Sequence, residues 1–253
     1  MNYKNIDILE NEFRIYGEGK YYEDVGGHSI QHIVAAMNKI DEINNVFDIG
    51  ANIGVTSLAF SLKADSVYAF EPNPSTLKQL ESTISFNRIS NVHTYGLAIG
   101  ESTGAILLRD VPAFASGNFI VLPESEGAKF LPLVEVECIS LDAFIISHGI
   151  KNVDMIKIDV EGFEIDVLEG AARTISRDNP IVLLEFNSYC LSAQREINPL
   201  EALRIIRGKF NNISVYDRDI KNFKKLNTDK DYINFLRNNF TKYNVDDLLC
   251  FNE

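Results

Sequence analysis

The sequence is short of positive charge. Its 253 residues include 24 lysines and arginines against 36 aspartates and glutamates, which gives a formal net charge of -12. Nucleic acids and anionic membrane surfaces are bound by positively charged faces, so this balance argues against both as partners. Four lysines near the C-terminus are expected to form only a solvated face: Lys221, Lys224, Lys225 and Lys230. We therefore expect no nucleic-acid partner and no membrane partner.

Cysteine and long apolar runs are also scarce. Cys138, Cys190 and Cys250 are an odd number without CxxC or Cys/His spacing, and each has apolar neighbours. Buried thiols are therefore expected rather than disulfides or metal ligands. No apolar run is long enough to cross a membrane, and the first ten residues lack a signal-peptide profile. These features predict a cytoplasmic protein.

Strand-like and helix-like segments alternate from Val46 onwards, which predicts an α/β fold with a mostly parallel sheet and right-handed crossovers. The length suffices for one such domain with a full core, here assigned to residues 46–253. The predicted strands are residues 46–49, 66–70, 92–99, 154–162, 180–187, 213–216 and 248–251.

Two segments depart from this alternation. Residues 1–45 predict an N-terminal cap made of a hairpin over residues 12–25, turning at residues 17–19, and a helix. His28 and His32 stand four apart on that helix, but no third metal ligand accompanies them, so a metal pair is disfavoured and a substrate-facing role stays open.

Residues 101–137 predict an inserted β-pair joined by a long polar loop. Ser116 and Asn118 on that loop are candidates to close over a bound acceptor. The alternative is a loop that is simply exposed.

A glycine-punctuated loop follows the first buried strand. Asp48, Gly50, Asn52 and Gly54 recur at every second position, and a helix begins directly afterwards. Such loops place backbone N–H groups and a helix N-terminus at a ligand site. The spacing is not the dinucleotide pattern Gly-x-Gly-x-x-Gly, and the acid suits a cationic ligand group better than a pyrophosphate. The alternative is a corner whose glycines only allow close packing.

Acidic residues end several of the predicted parallel strands. Glu71 ends the second strand, Asp159 and Glu161 lie at the end of the fourth, and Glu185 ends the fifth. Ligands of open α/β sheets bind outside the carboxyl ends of the strands. An acid about twenty residues after the glycine loop is suited to accept hydrogen bonds from a ribose diol, as Glu71 would.

Three motifs make the chain resemble the FkbM family of S-adenosylmethionine-dependent methyltransferases. They are Asp48-Ile-Gly-Ala-Asn-Ile-Gly54, Phe70-Glu-Pro-Asn-Pro74 and Ile156-Lys-Ile-Asp-Val-Glu-Gly-Phe-Glu164, and they are supported by Leu168-Glu-Gly-Ala171 and Val182-Leu-Leu-Glu-Phe186. The likeness covers about residues 44–190, and the Lys-Ile-Asp-Val-Glu-Gly run is its most specific part.

The resemblance implies a Rossmann-like class I methyltransferase fold, with a seven-stranded sheet whose last strand is antiparallel. It also implies methyl transfer to a hydroxyl of a sugar, glycan or glycosylated natural product. Carried over by position, the resemblance assigns Gly50, Asn52 and Gly54 to the methionine part of S-adenosylmethionine, with Asp48 near its ammonium group. It assigns Glu71 to the ribose hydroxyls. Asn73 and Ala98 would border the adenine. Asp159 and Glu161 would face the sulfonium and the acceptor.

A sugar hydroxyl is a poor nucleophile, so we expect Asp159 or Glu161 to accept its proton. The alternative is that Asp159 caps the next helix while Glu161 pairs with Lys157 or stays solvated. Glu161 and Glu185 are a further candidate pair for magnesium, but no doubled aspartate follows the fifth strand, so a metal is not favoured.

Two other functions stay open from the sequence. One is a non-catalytic S-adenosylmethionine-binding scaffold, against which the two candidate acids argue. The other is an NAD-dependent sugar oxidoreductase, which the missing Gly-x-Gly-x-x-Gly disfavours. The expected partner is a small-molecule or glycan acceptor, and the oligomeric state, a dimer included, is left open.

Overall fold

A computed structural model describes residues 2–109, 119–120 and 132–252 of the chain. Its strands, in chain order, are β1 Asn2–Ile8, β2 Asn11–Gly17, β3 Ile43–Ile49, β4 Ala64–Phe70, β5 Val92–Tyr95, β6 Ala98–Ile99, β7 Gly104–Arg109, β8 Phe119–Ile120, β9 Leu133–Ile139, β10 Met155–Ile158, β11 Ile181–Asn187, β12 Asn212–Asp217, β13 Asn222–Lys225 and β14 Val245–Phe251.

The α-helices are α1 Gly19–Asp24, α2 Gln31–Met37, α3 Val55–Ser61, α4 Pro74–Phe86, α5 Leu141–His148, α6 Glu164–Gly170, α7 Ala172–Asp178, α8 Pro199–Lys209 and α9 Asp229–Asn238. A 3₁₀-helix at Gly27–Ile30 and π-helical turns at Cys190–Gln194 and Asn239–Tyr243 complete the described helical segments. None of these helices has the length and apolar character needed to span a membrane.

The main sheet has the strand order β13-β12-β14-β11-β10-β3-β4-β5. The five strands from β11 to β5 are parallel, and β14 runs antiparallel between β11 and β12. The α/β fold with its antiparallel last strand is therefore confirmed. The predicted count of seven strands is wrong by one because β13 adds an edge strand. That strand, Asn-Phe-Lys-Lys, is mostly exposed and lacks the apolar run by which a strand is found.

Apolar side chains pack against both faces of this sheet. On one face Phe47 and Ile49 of β3 pack with α5, α6 and α8, and on the other face Val46 packs with α2, α3 and α4. Because successive residues of a strand point to opposite faces, a sheet covered on both sides has nearly all-apolar central strands. All four residues of β10 are buried, and one of them is Lys157.

The N-terminal segment forms a hairpin, but not the one that the sequence predicts. Strands β1 and β2 pair around a turn at Leu9 and Glu10, and the stretch assigned to the second hairpin strand is helix α1 instead. Both turn residues have positive φ, 47° and 65°, although neither is glycine, so the turn lacks its usual sequence signal. Ile8 and Ile15 of this hairpin pack in the same apolar cluster as α3. The domain boundary at residue 45 stays a prediction.

The insertion after the third parallel strand forms a second sheet of order β6-β9-β7-β8. Strands β7 and β9 pair antiparallel, which is the predicted inserted β-pair. The predicted strand at residues 92–99 is split, because Ala98 and Ile99 leave the main sheet and pair with β9. Ser116 and Asn118 lie outside the described residues, so their proposed closure over an acceptor stays a prediction.

Gly50 is the point where the glycine loop touches the end of β10. Its φ is +78°, and a Cβ atom there would lie 1.8 Å from the carbonyl oxygen of Asp159.

We expect Gly50→Ala to lower the free energy of unfolding by about 4 kcal/mol or more in urea denaturation, because the backbone at Asp159 or at residue 50 must move to make room for the Cβ atom. Gly149→Ala is the matched control, since Gly149 has φ +64° and a Cβ atom added there would meet no other atom within 4 Å. It should cost only the roughly 1–2 kcal/mol of the left-handed conformation, and equal losses would contradict the close-approach argument.

Candidate active site

A cavity opens where the parallel strands β3, β4, β10 and β11 end. The residues at and just beyond the ends of these strands supply polar lining, namely Gly50, Asn52, Glu71, Asp159, Glu161 and Glu185. Apolar side chains also line the cavity, among them Leu97, Ala98, Ile99, Leu108, Ile120 and Phe163. The cavity lies at the carboxyl edge of the sheet, where open α/β folds bind ligands.

Glu71 is held at the cavity surface by two backbone amides. The N–H groups of Asn52 and Asn73 donate to its two carboxylate oxygens, each at 3.0 Å. Burial raises the pKa of Glu71 to about 7, although these two hydrogen bonds oppose the shift. Asn52 has φ +51°, and its buried Oδ1 has no hydrogen-bond partner among the described residues. The loop thus presents a fixed carboxylate and an unpaired amide oxygen to a ligand.

Three of the predicted cofactor-binding residues lie behind this surface. Asp48 is fully buried under α3, where its Oδ2 accepts hydrogen bonds of 2.6 Å from Thr56 and Ser57. Asn73 caps α4 by accepting from the backbone of the first turn. A Cβ atom on Gly54 would meet Leu80 of α4 at 2.7 Å. None of the three lines the cavity, whereas Gly50, Asn52, Glu71 and Ala98 do, and contact of Asp48, Asn73 and Gly54 with a cofactor stays a prediction.

Lys157 connects the buried Asp48 to the cavity. Its Nζ donates to the carbonyl oxygen of Gly50 at 2.7 Å and lies 3.3 Å from Asp48 Oδ1 and 3.5 Å from Asp159 Oδ2. Burial alone would lower the pKa of Lys157, but the Asp48 and Asp159 carboxylates outweigh burial and raise it above its ordinary value. The lysine therefore stays charged and fixes both the glycine loop and Asp159.

Asp159, Glu161 and Glu185 form a group of acids at one end of the cavity. One carboxylate oxygen of each lies within 4.8 Å of the other two. Asp159 has 42% of its side chain exposed. Glu161 accepts a hydrogen bond of 3.1 Å from Cys190 Sγ, and burial, with the nearby Asp159 carboxylate, raises the pKa of Glu161 to about 8.

Two of the alternative roles for the candidate catalytic acids, helix capping by Asp159 and pairing of Glu161 with Lys157, are wrong. Helix α6 begins after Phe163 without a side-chain cap, so Asp159 does not cap it. Lys157 pairs with Asp48 and Asp159 rather than with Glu161. The loop between β10 and α6 is instead held by the buried Glu164, which accepts from the N–H of Gly162 at 3.0 Å.

Two residues of the site were not predicted from the sequence. Lys157 had a signal, because a lysine inside a short apolar strand must be paired when the strand is buried on both faces. Tyr21 of α1 also lines the cavity, and burial together with the nearby Asp159 raises the pKa of its hydroxyl. Nothing in the sequence indicates that α1 reaches the sheet edge.

His32 does not line the cavity but lies next to it. Its Nε2 is 3.7 Å from Asp247 Oδ1 on β14, and Asp247 faces Glu185 across the β11–β14 pair. The side chain of His28 lies outside what the structure describes, so the metal pair that the sequence disfavours is not tested.

Fold and site together define a class of protein. Five parallel strands, an antiparallel β14 inserted beside β11, a glycine loop after β3 and an acid ending β4 are the architecture of Rossmann-like class I methyltransferases. The family model of the methyltransferase FkbM domain matches residues 48–223, which is more than half of the chain. The chain belongs to the FkbM methyltransferase family.

Named relatives include a hexuronic acid methyltransferase and a 2-O-methyltransferase. Hexuronic acid methyltransferase AglP of Haloferax volcanii is 29% identical over 147 residues, 58% of this chain and 58% of that protein. 2-O-methyltransferase NoeI of Sinorhizobium fredii is 22% identical over 226 residues, 84% of this chain and 90% of that protein. The chain spans under three fifths of AglP and of two fungal methyltransferases it also matches.

Solved structures resemble the chain at lower identity. The methyltransferase FkbM of Methylobacillus flagellatus superposes with a TM-score of 0.49 at 19% identity, over 83% of this chain and 43% of that one.

Proposed function

We propose that the protein is an S-adenosylmethionine-dependent O-methyltransferase that methylates a sugar hydroxyl. The observation that carries this proposal is one cavity joining the glycine loop and Glu71 to the acids Asp159 and Glu161. The similarity to AglP, a hexuronic acid methyltransferase, supports a sugar acid as the acceptor class, and the similarity to NoeI, a 2-O-methyltransferase, supports transfer to an oxygen.

The residues at the loop end of the cavity fit S-adenosylmethionine. The Glu71 carboxylate is fixed to accept hydrogen bonds from vicinal ribose hydroxyls, and charge-assisted bonds of this kind are the stronger ones. The unpaired Oδ1 of Asn52 offers an acceptor for an N–H or O–H donor. Ala98, Ile99 and Phe163 supply apolar surface for a flat base. Gly50 has no side chain, so the cofactor can approach the backbone at this point of the cavity.

When bound, this cofactor supplies an electrophilic methyl group on a positively charged sulfur. The acids at the other end of the cavity place negative charge near that position, which favours a cation. Asp159 is the better candidate for the proton acceptor, because Lys157 lies beside it and its side chain is accessible. Glu161, with a pKa of about 8, is largely protonated at neutral pH and is suited to donate a hydrogen bond rather than to take a proton.

Two measurements test the proposal in sequence. Isothermal titration calorimetry with S-adenosylmethionine and S-adenosylhomocysteine should show saturable binding of both. Transfer of radiolabelled methyl should then be screened on glucuronic acid, galacturonic acid and neutral hexose glycosides. Binding without transfer to any acceptor would favour the scaffold function, and tight binding of NADH in place of S-adenosylmethionine would overturn the proposal.

Glu71 predicts a pH dependence of cofactor affinity. Its pKa of about 7 is raised from an ordinary carboxyl value, so lowering the pH from 8 to 6 protonates it and removes an acceptor for the ribose hydroxyls. If only the carboxylate binds well, the dissociation constant for S-adenosylmethionine should rise roughly ten-fold over this range. Glu71→Gln should bind at least ten-fold more weakly at pH 8 and lose most of the pH dependence.

Glu81→Gln is the matched control for this experiment, because Glu81 is exposed on α4 away from the cavity. It should keep both the affinity and the pH dependence of the unaltered protein. An equally steep pH dependence in Glu71→Gln would assign the effect to another group.

A further inference from the structure

We propose that Asp159, Glu161 and Glu185 form a binding site for a hard divalent cation, Mg²⁺ or Ca²⁺, beside the acceptor end of the cavity. The first two residues follow β10 and the third lies near the end of the neighbouring parallel strand β11. The topology of the sheet thus brings three carboxylates, which are well separated in sequence, to one place.

The convergence of the oxygen atoms is the first observation. Each residue offers one carboxylate oxygen within 4.8 Å of the other two, and all three residues line the cavity. Opposite oxygen ligands lie about 4.1 Å apart across Mg²⁺ and about 4.8 Å apart across Ca²⁺. No two of the three oxygens are therefore farther apart than two opposite ligands of one Ca²⁺, and small side-chain movements would bring all three onto a single ion.

An unsatisfied buried atom is the second, independent observation. Glu185 Oε2 is enclosed and has no hydrogen-bond partner among the described residues. A buried carboxylate oxygen without a donor costs free energy, so native structures normally satisfy such atoms with a protein group, water or an ion. Glu161, by contrast, has the thiol of Cys190 on one oxygen, which leaves its other oxygen for a cation.

The local charge balance also favours a bound cation. Within the described residues the cation that contacts this group of acids is Lys157, and it also serves the fully buried Asp48. Asp247 adds further negative charge beside Glu185, although His32 lies next to it. The three acids thus share one lysine with Asp48, and a divalent ion would neutralise the carboxylates that bind it, displacing the proton that Glu161 holds at neutral pH in the absence of the ion.

The donor set indicates the kind of ion. Carboxylate oxygens suit Mg²⁺ and Ca²⁺, whereas zinc and copper sites usually include histidine or cysteine ligands. Mg²⁺ is commonly held by a few carboxylates together with water and substrate oxygens. An ion here would lie beside Asp159, where it could bind the acceptor oxygen and lower the pKa of the hydroxyl. This role rests on the proposed function, whereas the binding site does not.

Calorimetric titration of the full chain with MgCl₂ and CaCl₂ tests the site directly, after treatment with EDTA, removal of the chelator and without S-adenosylmethionine. We expect one saturable site for at least one ion. Glu185→Gln and, independently, Glu161→Gln should weaken binding at least ten-fold. Asp219→Asn should leave ion binding unchanged, because Asp219 is an exposed acid outside the cavity. This variant is the control for non-specific association of the ion with surface acids. Circular dichroism melting identifies any variant that has not folded.

Absence of saturable binding of both ions, or equal affinities in Glu185→Gln, Glu161→Gln and Asp219→Asn, would overturn the site. Methyl transfer provides a separate readout. EDTA should suppress it and added Mg²⁺ or Ca²⁺ should restore it. Ion binding combined with full transfer in EDTA would overturn the placement of the ion on the acceptor oxygen while leaving the proposed methyltransferase function intact.

Discussion

Replacing Asp159 by Asn should reduce methyl transfer by about 10²–10⁴-fold, because the variant keeps the shape of the side chain but no longer accepts the hydroxyl proton. Affinity for S-adenosylmethionine should change little, since Glu71 and the glycine loop remain. The measurement is kcat under saturating cofactor and acceptor, together with the dissociation constant for the cofactor. Raising the pH should partly restore the variant, because the acceptor hydroxyl then ionises without help from the protein.

Asp217→Asn is the control for this prediction. Asp217 ends β12 in the same sheet, but its Oδ1 accepts from two backbone N–H groups of the following turn and it does not line the cavity. An amide keeps that acceptor, so kcat should stay within about two-fold. If kcat of Asp159→Asn fell by less than about ten-fold, Asp159 would be rejected as the proton acceptor and Glu161 would be the remaining candidate.

Replacing Lys157 by Met should lower the free energy of unfolding by about 3–5 kcal/mol, since it leaves a fully buried carboxylate without its cation. Methionine is close to lysine in length, so the loss would not arise from a large cavity. Asp48 would keep the hydroxyl donors of Thr56 and Ser57 but no positive charge. Urea denaturation monitored by circular dichroism gives the value, and the transfer rate should fall as well because Asp159 loses its neighbour.

Two comparisons separate this effect from a general loss of charge. Lys209→Met breaks a surface ion pair with Glu169 of 2.9 Å and should cost no more than about 1 kcal/mol. Adding Asp48→Asn to Lys157→Met should recover part of the stability, since it removes the unpaired charge. If Lys157→Met cost no more than Lys209→Met, the Asp48–Lys157 pair would not stabilise the fold in the way its burial indicates.

The sequence predicted which loops meet at the site better than which side chains face the ligand. Glu71, Asp159 and Glu161 follow parallel strands, so the common carboxyl edge brings them together. Asp48 belongs to β3 itself and, by strand alternation, points to the same face as Val46, toward α3. The place of Asp48 before the glycine loop and the motif resemblance both assigned it to the ligand, whereas strand alternation places it behind the cavity.

Other differences from the predicted fold have a different cause. In the β1–β2 turn, Leu9 and Glu10 adopt the left-handed backbone conformation that glycine usually adopts. The sequence therefore predicted the turn at the glycines of residues 17–19 instead. Strand β13 is an exposed edge strand whose pairing with β12 depends on tertiary context. Tyr21 reaches the cavity only because the N-terminal hairpin packs on the sheet. Long-range packing of this kind leaves no mark in local periodicity.

The place of Tyr21 has a consequence for how members of this family diverge. The matched family region begins at residue 48, yet this cavity has a wall supplied by α1, and β14 behind Glu185 also lies beyond residue 223. The wall that includes Tyr21 is therefore built from residues that the family match does not cover. Two members that shared the matched region but differed before residue 48 would present cavities of different shape to a ligand.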